Sequence, residues 1–186
     1  MDNGMMAGLF VIGTLLLTAI SWRSLRNTAH HGFTRWLAWI GILAIIILNA
    51  DVWFVERYSP PQILSWLLLT LSILSVALGV LQLKLQGRAQ TGQRDDAALY
   101  AFERTTVLVD NGIYALIRHP MYLSLILLAW GAAVKDATWL TLGLALFVTA
   151  CLYLTSRRDE KECLMFFGDA YVAYMQRSKR FIPWLW

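Results

Sequence analysis

Apolar residues gather into five runs along the chain, at 5–21, 36–50, 63–83, 121–134 and 137–155, with polar breaks between them. Crossing the hydrocarbon core takes about 20 apolar residues, with a range of roughly 17–25. The first, third and fifth runs meet or approach that length. The second gains it by borrowing Val52-Trp53-Phe54 beyond Asp51. The fourth is the shortest and rises only about 21 Å at about 1.5 Å per residue. It needs completion from residues 114–117 ahead of Pro120, or a locally thin or protein-lined setting. The pattern predicts an all-α, polytopic membrane protein with about five transmembrane helices, the last two a hairpin turned at Lys135-Asp136. We read residues 1–186 as one integral membrane domain. Three helices lie in 1–83, and the hairpin and a C-terminal amphipathic helix lie in 84–186.

Composition agrees. The chain is 58% hydrophobic and 15% charged, with mean hydropathy +0.54, where soluble domains carry about 25% charged residues. Lys and Arg favour cytoplasmic loops. Five spans put 14 of the 16 Lys and Arg residues on one side, leaving Arg57 and Lys135 on the other. This predicts an outside N-terminus and a cytoplasmic C-terminus in the cell inner membrane. Topology then explains the net charge of +4, and no nucleic-acid partner is needed. Residues 5–21 are read as a span rather than a cleaved signal, because Asp2 stands where a basic start belongs and no small-x-small cleavage site follows. Cys151 and Cys163 have neither a CxxC partner nor a shared compartment, so they read as packing residues.

The polar regions are uneven. Residues 84–118 form a long connection, and such connections are commonly functional or disordered. Apolar residues 97–102 and the β-branched run 105–109 argue for order there, and Glu103 is a candidate for lining a site. Beyond the fifth run, Glu160, Leu164, Phe167 and Tyr171 recur at i, i+4, i+7 and i+11, one stripe of a helix. A bland account makes this an amphipathic helix resting its basic face on anionic headgroups.

The densest chemistry lies at Gly112–Tyr122. Proline suits the first position of a helix and keeps the preceding residue out of helical geometry. His119 is therefore held at a helix entrance, where amides and dipole attract anions. With Arg118 beside it, the segment suits a small molecule bearing a carboxylate. His30-His31 invite a metal, but adjacent histidines point apart and no third ligand is near in sequence, so they read as a basic interfacial loop and no metal site is assigned. Asn49 and Asp51 read as interfacial polar groups. Trp53, Trp184 and Trp186 read as belt residues, and Tyr174 as an interfacial tyrosine.

The ordered blocks Asn111-Gly112-Ile113-Tyr114, Arg118-His119-Pro120-Met121-Tyr122, Asp159-Glu160, Phe167-Gly168-Asp169-Ala170-Tyr171 and Arg180-Phe181-Ile182-Pro183 resemble the isoprenylcysteine carboxyl methyltransferase and phospholipid methyltransferase superfamily of membrane enzymes. The likeness covers roughly residues 103–183. It departs at Asp159, where the family more often has glutamate; Glu160 is the more trusted acid. The resemblance implies S-adenosylmethionine as cofactor, bound at the cytoplasmic face by the C-terminal half. It implies Tyr114, Arg118, His119, Pro120, Tyr122, Asp159, Glu160 and Tyr171 as cofactor-binding residues, with Glu160, His119 and Arg118 catalytic. The expected partner is a hydrophobic or amphiphilic small-molecule or lipid acceptor, among membrane lipids, and oligomeric state is left open.

Methyl transfer asks for orientation and exclusion of water, with a base only where the acceptor arrives protonated. Glu160 and His119 are the candidate bases, and Arg118, Arg158 or Arg180 would hold a carboxylate acceptor. A different class, a non-catalytic accessory or assembly protein keeping the same fold, is disfavoured by the joint presence of Arg118, His119 and Glu160. A transporter lacks charged residues within its spans. Glu160→Gln is expected to lower turnover more than expression.

Overall fold

The computed structural model describes residues 1–26, 30–87 and 105–183. In order they form α1 (Asn3–Leu25), α2 (His31–Leu48), α3 (Pro60–Gln86), the short α4 (Ile113–Leu116), α5 (Pro120–Ala133), α6 (Trp139–Phe167) and α7 (Asp169–Arg177). Among the described residues there is no strand. Four helices, α1, α2, α3 and α6, are long and apolar enough to cross a membrane. The fourth apolar run forms α5, whose 14 residues are too short to span alone. This is an all-α polytopic membrane protein.

The helices pack as a row. α1 lies on α2, α2 on α6, α6 on α5 and α5 on α3. A core of Ala38, Ile42, Ile45, Ala129, Ala145, Val148 and Leu152 fills the α2–α5–α6 junction. Small residues let the axes approach closely, and packing rather than water exclusion holds helices together in lipid. The outward faces of α1 and α3 keep Leu15, Leu16, Leu67 and Ile73 exposed, as lipid-facing surfaces should.

Several boundaries differ from expectation. The second helix extends backward to His31, and not forward through Val52-Trp53-Phe54. Beyond Leu48 the chain turns through a 3-10 segment, Ala50–Val52. Asn49 is buried rather than interfacial: its side-chain amide donates to Ala132 O at 2.8 Å and Ala133 O at 3.4 Å. Those carbonyls belong to the last turn of α5, which has no helical donors of its own to offer them. The hairpin turn at Lys135-Asp136 is a 3-10 segment as well. Lys135 is buried there. Its ammonium donates to Trp53 O at 3.2 Å and Gln62 Oε1 at 3.0 Å, and lies 4.1 Å from the Trp66 ring centroid and 4.7 Å from that of Trp53. The Ala133 end of α5 is thus pinned to α2 and α3 together.

The proposed C-terminal amphipathic helix is two pieces. α6 runs unbroken through the span to Phe167, and the chain then breaks at Gly168, whose φ of +56° is costly for a residue with a Cβ. The stripe faces inward. Glu160 and Tyr171 are buried.

Candidate active site

Three short pieces converge under α5. Residues 178–180 run beside 116–119 as an isolated parallel bridge between Ile117 and Lys179. Arg118 N donates to Lys179 O at 2.7 Å, Lys179 N to Leu116 O at 3.0 Å and His119 N to Arg180 O at 3.2 Å. The residue before a proline avoids helical geometry, and His119, at φ −125° and ψ 60°, is extended enough to make this pairing. The pairing delivers Arg180 to the far side of Glu160.

Glu160 is the hub. Its Oε1 accepts from Arg118 Nε at 2.9 Å and Arg180 Nε at 3.2 Å, and lies 3.3 Å from His119 Nε2. Its Oε2 accepts from Arg180 Nη2 at 2.5 Å. Arg118 also donates through Nη1 to Ser178 O at 2.5 Å and Met175 O at 3.3 Å. Glu160 lies in the polar extension of α6 beyond Thr155. Burial pushes its carboxyl up, but hydrogen bonds from His119, Arg180 and Arg118 outweigh this and hold it well below the usual carboxylate range. It stays ionised and fully engaged.

Beside this hub opens a cavity of about 660 Å³, counting the open space at its mouth. Tyr114, Arg118, His119, Pro120, Tyr122, Asp159 and Tyr171 line it, together with Leu83, Thr105, Leu108, Val109, Met121, Cys163, Phe167 and Tyr174. Seven of the eight residues named for cofactor binding are therefore on its wall, and Glu160 stands behind it. Asp159 faces in. Its Oδ2 accepts from Tyr122 Oη at 3.1 Å and lies 3.6 Å from His119 Nδ1. His119 stacks on Tyr122 with centroids 5.3 Å apart.

The cavity's other wall is aromatic. Tyr171 stacks on Phe167 and meets Tyr174 edge-on, at centroid distances of 6.5 and 5.6 Å. Tyr174, expected at the membrane interface, is buried and donates to Tyr114 O at 2.8 Å. It ties α7 to the turn that carries Arg118. Gly112 permits that turn, at φ +56° and ψ −127°. A Cβ there would lie 2.2 Å from the Gln82 side chain. Gln82 itself accepts from Ile113 N at 3.2 Å and donates to Asn111 Oδ1 at 2.8 Å.

His31 corrects the reading of an interfacial histidine loop. Its side chain is fully buried at the start of α2. Its Nδ1 lies 2.6 Å from Glu162 Oε2, its backbone N–H donates to Glu162 Oε1 at 3.3 Å, and His30 Nδ1 lies 3.3 Å from that same oxygen. Glu162 therefore caps α2. His31, Asp159 and Glu162 each place a ligand-type atom within 4.8 Å of the others, partners more than 120 positions away in sequence. Glu103, Trp184 and Trp186 lie outside the described residues.

Residues 62–170, more than half of the chain, match the phospholipid methyltransferase family, and the chain belongs to that family. Over 72 residues it is 35% identical to methanethiol S-methyltransferase 1 of Bradyrhizobium diazoefficiens, covering 39% of this chain and 25% of that protein. Over 82 residues it is 33% identical to a delta(14)-sterol reductase of Mus musculus, covering 42% of this chain and 20% of that protein. The aligned part spans only about a quarter and a fifth of these curated relatives. Their names carry different reactions, so the reaction has to be argued from the site. No solved structure matches significantly.

Proposed function

We propose that this protein transfers the methyl group of S-adenosylmethionine to a lipid-like or other hydrophobic acceptor at the cytoplasmic face of the cell inner membrane, with its N-terminus outside. The observation that carries this is the cavity itself. It joins an aromatic wall, a helix entrance bearing His119, and one inward-facing carboxylate, Asp159, in a family of methyltransferases. The residues fit the donor's chemistry. Tyr171, Phe167, Leu108 and Val109 would hold an adenine. The first amides of α5 and His119 would receive a carboxylate. Tyr122 and Asp159 would face a positively charged sulfonium.

When bound, S-adenosylmethionine supplies an electrophilic methyl carbon. The chain's own part is to orient and to exclude water. Arg118 and Arg180 fix Glu160, Glu160 fixes His119, and His119 fixes Tyr122 by stacking. The relative named for methanethiol adds a small thiol to the acceptors that fit, beside a phospholipid amine, an isoprenoid or a prenylated carboxylate.

The test uses purified protein in lipid nanodiscs with methyl-labelled S-adenosylmethionine and a hydrophobic extract, with His119→Ala as control. Label in an extractable product from the wild type alone supports the reading. Absence of both label and saturable S-adenosylhomocysteine binding would favour the accessory-protein alternative.

A further inference from the structure

We infer that the acceptor is a neutral thiol and that Asp159, steadied by His31 from α2, receives its proton. This rests on the methyl-transfer reading above. A carboxylate acceptor would need a free guanidinium in the cavity. Arg118 spends its Nε on Glu160 and its Nη1 on two backbone carbonyls. Arg180 spends Nε and Nη2 on Glu160. Drawing either away would strand a buried carboxylate, and Asp159 would repel the incoming anion.

The same bonds remove Glu160 as a base, since both of its oxygens are occupied. Asp159 differs in what holds it. Its Oδ2 accepts from the neutral Tyr122 hydroxyl at 3.1 Å and its Oδ1 meets, among the described residues, only the weak Cys163 thiol donor, where Glu160 is clamped by two guanidinium groups. Asp159 lines the cavity, and its ion-pair contact among the described residues is an imidazole, His119, at 3.6 Å. One protein thiol already rests on it: Cys163 Sγ lies 3.7 Å from Asp159 Oδ1. The wall thus already holds a sulfhydryl donor against this carboxylate, and an acceptor thiol would present the same chemistry from the cavity side.

His31 is absent from the cavity wall and acts through Asp159, which makes it a positioning residue. Its Nδ1 is fixed by Glu162, and its Nε2 is buried with no hydrogen-bond partner among the described residues. This fully buried imidazole places a ligand-type atom within 4.8 Å of one on Asp159 and one on Glu162, close enough to act on Asp159 through charge without a direct bond.

In the step, a lone pair of the acceptor sulfur forms the new bond to the methyl carbon. The electron pair of the breaking carbon–sulfur bond stays on the donor's sulfur, which leaves neutral. The acceptor's proton ends on an Asp159 oxygen.

The experiment uses the full chain in nanodiscs with methyl-labelled S-adenosylmethionine and four probes: ethanethiol, 4-nitrothiophenol (already a thiolate at neutral pH), decylamine and a farnesylated cysteine carboxylate. Calorimetry of S-adenosylhomocysteine binding runs beside it. Label is expected in the thiols and not in the amine or the carboxylate. At saturating S-adenosylmethionine, Asp159→Asn should slow ethanethiol methylation by about 100-fold or more and slow 4-nitrothiophenol, which has no proton to give, far less, the part common to both thiols reading the lost contact with the sulfonium. His31→Ala should show a smaller loss with the same recovery, and both variants should bind S-adenosylhomocysteine within a few-fold of wild type.

Label in the amine or carboxylate probe, or equal losses on both thiols, overturns the inference. So does label in no probe while S-adenosylhomocysteine binds. Loss of S-adenosylhomocysteine binding in the wild type itself would instead bring down the methyl-transfer reading beneath it.

Discussion

Arg180 closes on Glu160 with two nitrogens, Nη2 to Oε2 at 2.5 Å and Nε to Oε1 at 3.2 Å, so the chain's return strand is fastened to the middle of α6's polar extension. Glu160→Gln would leave Arg118 and Arg180 facing each other without a counter-charge. Removing one partner of a buried pair costs about 3–5 kcal/mol. We therefore expect a fall in thermal stability with the loss of activity, read as apparent Tm in detergent.

The same carboxylate sets an acid limit. Because Glu160 is held below its ordinary value of 4.5, its contribution is fully present above that pH. It is lost as pH falls toward the much lower folded value. Apparent Tm measured from pH 7 down to pH 3 should drop more steeply below 4.5 in the wild type than in Glu160→Gln. Parallel curves would contradict this assignment.

Gly112 and Gly168 share a φ of +56° but not their surroundings. A Cβ at Gly168 meets open space, whereas at Gly112 it strikes Gln82. Gly168→Ala should cost only backbone strain, about 1–3 kcal/mol. Gly112→Ala should cost more and should also weaken S-adenosylhomocysteine binding, because the turn bearing Tyr114 and Arg118 would shift. Calorimetry on both variants checks the ranking.

Tyr174→Phe removes the hydroxyl that donates to Tyr114 O and leaves that carbonyl buried without it. The loss should be about 1–3 kcal/mol with the aromatic wall intact, so stability should fall while nucleoside binding survives.

Asn49→Leu takes the donor from the last carbonyls of α5. A similar loss of about 1–3 kcal/mol is expected, seen as faster proteolysis at the loop following α2.

Much of this was legible in the chain. Runs of apolar residues fixed the helices, because lipid leaves a spanning backbone few alternatives. The ordered blocks from Gly112 to Arg180 located the cavity, since those side chains come from segments whose local geometry is dictated by proline and glycine. What stayed hidden depends on pairing across long separations. His31 looked like an exposed loop residue because Glu162 and Asp159 lie 131 and 128 positions away. Asn49 looked interfacial until Ala132 O was placed beside it. Asp159 and Glu160 are neighbours in sequence, and only the fold tells which one turns inward. The periodicity of Glu160, Leu164, Phe167 and Tyr171 was real, but it carried no sign of the kink at Gly168.

The shortness of α5 has a consequence for supply. Its Ala133 end is pinned by Asn49 and Lys135, so the missing length lies at the cavity end. A Cβ on Gly79 would stand 3.1 Å from Pro120, and α3 continues from Gly79 to Gln86, seven residues or about 10 Å further. The cavity is thus sunk like a well below the rim of its neighbouring helix. A molecule dissolved in the leaflet would meet that well from the side, whereas one in water would have to descend past the rim. Partitioning between water and lipid, rather than bulk aqueous concentration, would then set how often an acceptor arrives.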